Sequence, residues 1–302
     1  MSVSPEHYAS FLERMGHTVR KVDGMWWFNT NRGVYTGFPF DQNVDATTIS
    51  LSEILGHDGL LVRFGCPVEQ GVTSHRILCS DKAYDFPSLR SRTRTQVRRG
   101  LEDCKIERIE FAELSKHAIQ LNIDTLIRQE RKVPANIETY WKKYYEAASV
   151  TEGAEAWAAW CEGRLAAYVI AFTIGTTANM LIVRSALDLL PKFPNNALLF
   201  QYLYNKIREP QIEQVVYGYE SIQAGLGSLD QFKTGMGFQL DPVGQRIELA
   251  RWVRPFVNRY TTAMASRFLQ RLGKGETPAK LQGILNWYRD QPTLSQPDSA
   301  AA

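Results

Sequence analysis

The sequence predicts an α/β protein with mixed sheets, and three observations carry that class. With 302 residues, 44% of them apolar and 22% charged, the chain has an ordinary soluble composition and enough apolar material for two medium domains or one large one. Short strand-like runs and amphipathic helices alternate through the first hundred or so residues, whereas longer and more regular elements follow. From Ala156 onward the order is specific: three strands joined as a meander, then a helix, then a buried strand.

The first element is an amphipathic helix over Glu6 to Met15, with Tyr8, Phe11, Leu12 and Met15 on one face. Val19 to Phe28 reads as strand turning at Asp23-Gly24, residue types that accept the positive φ of a tight hairpin. Trp26, Trp27, Phe28, Tyr35, Phe38 and Phe40 form an aromatic cluster that suits core packing better than the floor of an apolar pocket. Leu60 to Phe64 and His75 to Cys79 are further strands. The basic run Leu89 to Gly100 is a helix. Leu89, Thr93, Val97 and Leu101 give it a narrow buried seam, and Arg90, Arg94 and Arg98 a neighbouring row. That row suits a polyanion, either donor phosphates or an RNA backbone, and equally suits a solvated helix face.

Ile106 to Phe111 alternates as a strand, and Leu114 to Arg128 and Ile137 to Ala148 follow as helices, the second with Asn136 as its N-cap. The change of pattern near Lys105 to Glu113 places a domain boundary there, giving domains 1–105 and 106–253. The meander comprises Ala156 to Cys161, Arg164 to Ile174 and Ala178 to Arg184, with a tight turn at Glu162-Gly163. Pro194 to Arg208 is a helix capped by Asn195 or Asn196, Ile212 to Tyr219 a buried strand, and Arg246 to Val253 a last strand. Residues 254–290 form a helical extension, from Phe256 to Leu272 and Ala279 to Tyr288, that covers the second domain or mediates a homodimer. Residues 291–302 are polar and proline-bearing, which predicts a disordered tail.

Several classes fall away. A net charge of +3 is too mild to imply nucleic acid by itself. Cys66, Cys79, Cys104 and Cys161 stand far apart and read as reduced, mostly buried thiols. The N-terminus lacks the features of a secretory signal, and the run Leu165 to Ile174 is about half the length a bilayer requires, so the expectation is a cytoplasmic chain without a membrane span. The sequence has no H-E-x-x-H, no G-x-S-x-G and no Walker loop, and its histidines are scattered; no metal site is expected.

The stretch Val215 to Phe238 is the most informative. A strand through Val215, Val216 and Tyr217 leads into a small polar loop and then an amphipathic helix from Ser228. Ser228 and Gln231 have capping-box spacing, and Gly235 or Gly237 ends the helix. A strand that aims a loop at a helix N-terminus is a common way to build a site.

Two helices, a meander ending at Arg184-Ser185, a loop and helix start at Lys192 to Asn196, a strand and a loop-helix together resemble the GNAT acyltransferase fold. More narrowly, G-L-G-S-L-D-Q-F-K-T-G-M-G-F and the helix T-R-T-Q-V-R-R-G-L resemble segments of Fem-like transferases, which carry two GNAT-like domains in tandem. The resemblance implies transfer of an acyl or aminoacyl group to an amine of a small molecule or peptide. It places a donor's phosphates on Lys192, Asn195, Asn196 and Ala197, with Arg184 nearby and placed to hold a carboxylate. The usual glycine signature for coenzyme A is absent, with no glycine between Pro191 and Phe200. The resemblance implies as donor an acyl-CoA thioester, the leading expectation, or an aminoacyl-tRNA, with phosphates meeting Arg90, Arg94 and Arg98. A non-catalytic binding protein on the same fold is the third possibility. The chemistry needs a proton acceptor and an electrostatic donor, for which Glu220, Tyr219 and Lys233 are the candidates.

Overall fold

The computed structural model describes residues 2–129, 131–220, 227–257 and 276–294. It separates into two compact units that interleave along the chain. The first holds residues 1–15, 77–218 and 227–240, and the second holds 16–76, 219–226 and 241–302.

In the first unit, helix α1 (Pro5–Met15) buries Tyr8, Phe11 and Leu12, as its periodicity requires. The basic helix, α3 (Ser91–Asp103), buries Thr93, Val97 and Gly100, so Gly100 rather than Leu101 completes the seam. It runs into β6 (Cys104–Ile109). The single helix expected over Leu114 to Arg128 is two, α4 (Phe111–His117) and α5 (Ile119–Arg128), which meet at the buried Ala118. Helix α6 (Ile137–Ser149) starts after Asn136, whose side chain makes no capping bond.

The meander is present as β7 (Ala154–Cys161), β8 (Arg164–Ile174) and β9 (Thr177–Ser185), all antiparallel, with β6 added beside β7. Glu162 and Gly163 both have positive φ, 54° and 74°, so the β7–β8 turn has the type I′ form that matches strand twist. Helix α7 (Pro194–Lys206) and strand β10 (Gln214–Tyr219) follow, β10 lying parallel to β9. Helix α8 (Gly227–Gly235) closes this unit.

In the second unit, β1 (Val19–Val22) and β2 (Met25–Asn31) form the expected hairpin, with Asp23 and Gly24 at φ 53° and 78°. Strands β3 (Val34–Phe38) and β4 (Leu61–Cys66) extend it, and helix α2 (Leu51–Leu55) packs on β1 and β4. Trp27, Tyr35, Ile54, Val62 and Phe64 form its core, so the aromatic cluster does serve packing. Strand β5 (Val72–Cys79) begins in this unit. Strand β11 (Gln239–Leu249) begins before the expected Arg246 and ends before Val253. Its pairing with β4 runs from Gly244 to Leu249, after Pro242, which lacks a ladder N–H.

Two expectations need correction. Cys104 and Cys161, opposite one another on β6 and β7, are joined by a disulfide; only Cys66 and Cys79 are free thiols, both buried. The N-cap of α7 is Phe193, in the left-handed region at φ 54°, not Asn195 or Asn196. The Gln291 carboxamide pairs with both backbone groups of Ile247 at 3.0 and 2.8 Å. The last described helix, α9, spans Glu276–Asp290. The helix expected from Phe256 to Leu272 lies outside the described residues from 258 onward, as do the loop 221–226, the tail from 295 and the Ser228 side chain. No described helix is long and apolar enough to cross a membrane.

Candidate functional site

The strands β9 and β10 build the opening on which the first unit's polar groups converge. They pair only over Thr177, Ala178 and Asn179 with Gln214, Val215 and Val216. Immediately beyond, β9 carries an extra residue: Met180 faces Ala171 and Ile182 faces Ile170, leaving Leu181 as a bulge. A bulge bends its strand and increases local twist, so β9 turns away where its ladder with β10 ends. Ile182 and Arg184 on β9 lie past that point, and so does Tyr217 on β10.

Lys233, on α8, is 4% exposed, and its Nζ lies 4.8 Å from the ring centroid of Tyr217. A cation over a phenol face in a dry setting is a favourable arrangement. Burial raises the Tyr217 phenol pKa, and the positive charges of Arg184 and Arg128 oppose that rise. Arg128 donates from Nη1 to Ser185 Oγ at 3.1 Å, and Asn195 Nδ2 donates to the same oxygen at 3.1 Å. The guanidinium of Arg184 sits 5.7 Å from the Trp141 ring centroid and donates to the Val183 carbonyl at 3.0 Å.

Beside Arg184 lies a cavity of about 330 Å³, walled by α5, the first turn of α6 and β9. Leu126, Ile137, Tyr140, Trp141 and Ile182 give it an apolar and aromatic lining, and Arg184 is the only charged residue among its described lining. Behind the wall, Asn122 donates to Tyr145 Oη at 3.0 Å, Tyr145 and Tyr168 hydroxyls meet at 3.2 Å, and Tyr168 donates back to Asn122 Oδ1. This closed ring of buried hydrogen bonds ties α5, α6 and β8 together and keeps the wall in shape.

The remaining expected site residues fall elsewhere. The first turn of α7 is covered by α3: a Cβ on Gly100 would come within 2.6 Å of the Phe193 carbonyl and 2.9 Å of Ala197 Cβ. Ala197 is fully buried, Asn196 Nδ2 lies 3.4 Å from Gln96 Oε1, and the amides of Asn196 and Ala197 both bond the Phe193 carbonyl. Lys192 forms an ion pair with Glu162 at 2.6 Å, which raises its pKa and lowers that of the carboxyl. Arg94 donates to the Leu89 carbonyl at 3.1 Å, its Nε having no hydrogen-bond partner among the described residues, and the exposed Arg98 lies 5.4 Å from the Phe86 ring centroid. Arg90 is exposed; its amide bonds the Gly235 carbonyl.

In the second unit, Glu220 Oε2 lies at hydrogen-bond distance, 2.9 Å, from His75 Nδ1, and the Glu220 amide donates to the His75 carbonyl. Tyr219 donates to the Phe40 carbonyl at 2.6 Å, and burial raises its pKa against the opposing charges of Arg76 and Arg63. Sequence reasoning passed over the neighbours of these residues: Tyr217, Trp141 and Arg128 in the first unit, and His75 beside Glu220 in the second. Tyr217 was within reach, two residues before Tyr219 on the same predicted strand; the others join only through long-range packing.

No family model and no curated protein matches the sequence. Solved structures do. A crystal structure of FemX superposes with a TM-score of 0.59 at 13% identity, covering 83% of this chain and 92% of that one. The fold is the Fem-like form of the GNAT fold. A second match, the C-terminal domain of a protein described as a lysylphosphatidylglycerol synthetase from Agrobacterium fabrum, has a TM-score of 0.53 at 13% identity, covering 81% and 88%. A tandem GNAT protein from the clavulanic acid biosynthesis pathway aligns more loosely, at a TM-score of 0.41 and 11% identity over 74% and 78%. At these identities the likeness concerns the Fem-like GNAT fold.

Proposed function

We propose that the protein transfers an acyl group to an amine, with the chemistry of the first unit centred on Lys233, Tyr217 and Arg184. The observation that carries this reading is the end of the β9–β10 ladder at Asn179 and Val216, just before the Leu181 bulge and beside a buried ammonium. Strands that separate leave backbone donors and acceptors facing a gap, where an extended donor arm can be gripped without any dedicated side chain. The amine nitrogen attacks the carbonyl carbon, a C–N bond forms, and the C–O or C–S bond of the donor breaks. The proton lost by the amine ends on the departing oxygen or sulfur. Negative charge builds on the carbonyl oxygen and then on the leaving atom, and Lys233 is the group that opposes it.

The donor we favour is an aminoacyl ester of tRNA. The covered first turn of α7 speaks for it, because coenzyme A diphosphate on those amides would have to displace α3 at Gly100. The exposed Arg90, Arg92, Arg98 and Arg99 supply sequence-independent attraction for an RNA backbone. The name of the synthetase among the similar structures, which joins a lysyl group to its product, agrees with an aminoacyl donor. An acyl-CoA donor is the second reading, favoured by the parted strand edges, which suit the two amides of a pantetheine arm. Charged tRNA and acetyl-CoA, each offered with a panel of amino acids, polyamines and short peptides, separate the two. Transfer from charged tRNA alone supports the first reading, transfer from acetyl-CoA alone replaces it with the second, and transfer from neither removes both.

A further inference from the structure

The cavity beside Arg184 has a chemistry that specifies more than a reaction class. We propose that the amine acceptor is an α-amino acid with an apolar or aromatic side chain, seated in this cavity with its carboxylate on Arg184. The proposal rests on the acyl-transfer reading for the word acceptor, while the binding site itself stands on the geometry.

Volume comes first: about 330 Å³ lies at the small end of ligand cavities, the size of a single amino acid rather than a nucleotide or a lipid. The lining comes second. Tyr140 and Trp141 present aromatic surface, and Leu126, Ile137 and Ile182 aliphatic surface, which reward an apolar body. Charge comes third. Arg184 forms no ion pair among the described residues, and one of its N–H groups is committed to Val183. A planar guanidinium fork matches a carboxylate in two parallel bonds, and one positive charge balances one negative charge. A diphosphate would require more cations than the described lining offers.

The field of Arg184 also reaches the buried Tyr144, Tyr145 and Tyr168, whose phenols burial holds in the neutral form. The cavity therefore keeps a net positive character, with no carboxylate in its described lining to hold an ammonium. An amine there is favoured in its neutral, nucleophilic form. The Asn136 side chain, which neither caps α6 nor makes another hydrogen bond among the described residues, lies on the same wall and offers an acceptor for an amine N–H.

Isothermal titration of the full-length protein, with no acyl donor present, tests this directly. L-Phenylalanine and 3-phenylpropionate bind saturably, with L-phenylalaninamide at least tenfold weaker, because it lacks the carboxylate. Arg184→Gln weakens L-phenylalanine at least tenfold, as expected for a charged hydrogen-bonded pair worth about 1.5–3 kcal/mol. Arg184→Lys, which keeps the charge but not the fork, falls between, and far-ultraviolet circular dichroism confirms that both variants are folded. Equal binding of L-phenylalanine and its amide, unchanged binding in a folded Arg184→Gln, or no saturation by L-phenylalanine overturns the proposal. Binding without transfer from any donor leaves the site standing and removes the acyl-transfer reading instead.

Discussion

Each of the two units holds cations that meet carboxylates and a cation that meets only neutral groups, and the two neutral-partnered arginines differ in what they face. In the second unit the buried Arg76 and Arg246 have carboxylate partners, Asp241 at 3.2 Å and Glu248 at 2.7 Å, whereas the half-buried Arg63 has neutral ones, Gln245 Oε1 at 2.9 Å and the Trp287 ring. Desolvation lowers the Arg63 pKa to about 10, the cost of a guanidinium without a carboxylate beside it. In the first unit, Lys206 follows the same rule, bonded to Glu155 at 2.8 Å and Glu209 at 3.1 Å. The half-buried Arg184 does not; among the described residues its partners are the Val183 carbonyl and the Trp141 ring. A charge retained near a cavity without its counter-ion points to a ligand that brings one. Its place in the lining of that cavity is what sets Arg184, as a cation that serves a site, apart from Arg63 and the paired cations that hold the fold.

Substitutions break or sharpen that contrast. Lys206→Met and Glu248→Ala each leave a buried charge without its partner, and about 3–5 kcal/mol of unfolding free energy is lost in urea titrations. Lys233→Met keeps the volume and removes the ammonium. Transfer falls by about 10²–10³-fold, as for loss of one oxyanion donor, with near-native circular dichroism. Gly100→Ala forces a methyl group against the Phe193 carbonyl and costs about 1–3 kcal/mol, seen as a lower urea midpoint. Arg184→Gln, in contrast with the paired cations, changes stability by only about 0.5 kcal/mol while it abolishes most ligand affinity.

Thiol chemistry supplies the smallest effect and a clean count. Burial pushes the Cys66 thiol pKa up to about 12 and that of Cys79 to about 11, so both stay protonated and unreactive at pH 8 in the native protein. Each becomes a thiolate only as the pH approaches those values. In denaturant without reductant, two of the four cysteines titrate with Ellman's reagent, because Cys104 and Cys161 are joined. Four reacting thiols in freshly purified protein would contradict the disulfide.

Local chemistry made much of the fold legible. Asp23-Gly24 and Glu162-Gly163 specify tight hairpins through backbone preference alone, and the meander strands follow from apolar runs between those turns. The break at Ala118 carries no proline or glycine, and it escaped because packing rather than propensity makes it. The α7 cap escaped for a related reason: a phenylalanine in the left-handed region is held there by its surroundings, which include Gly100 from a distant helix. The Cys104–Cys161 pair became visible only with the β6–β7 register, since a separation of 57 residues says nothing about proximity.

At the site, Lys233 and Arg184 were accessible through motif and strand position. Their neighbours were not. Trp141 reaches Arg184 from another helix, and the β9 bulge at Leu181 appears as one uneventful residue in an apolar run. A cavity is a property of three elements at once, and no window of sequence contains it.

The most direct test of the account is single-turnover acyl transfer from charged tRNA and from acetyl-CoA to L-phenylalanine, in wild-type protein and in folded Lys233→Met. The account predicts a new amide bond with one of the donors in the wild type, formed at least a hundredfold more slowly in the variant. Equal rates in the two proteins, or no amide from either donor, would contradict it.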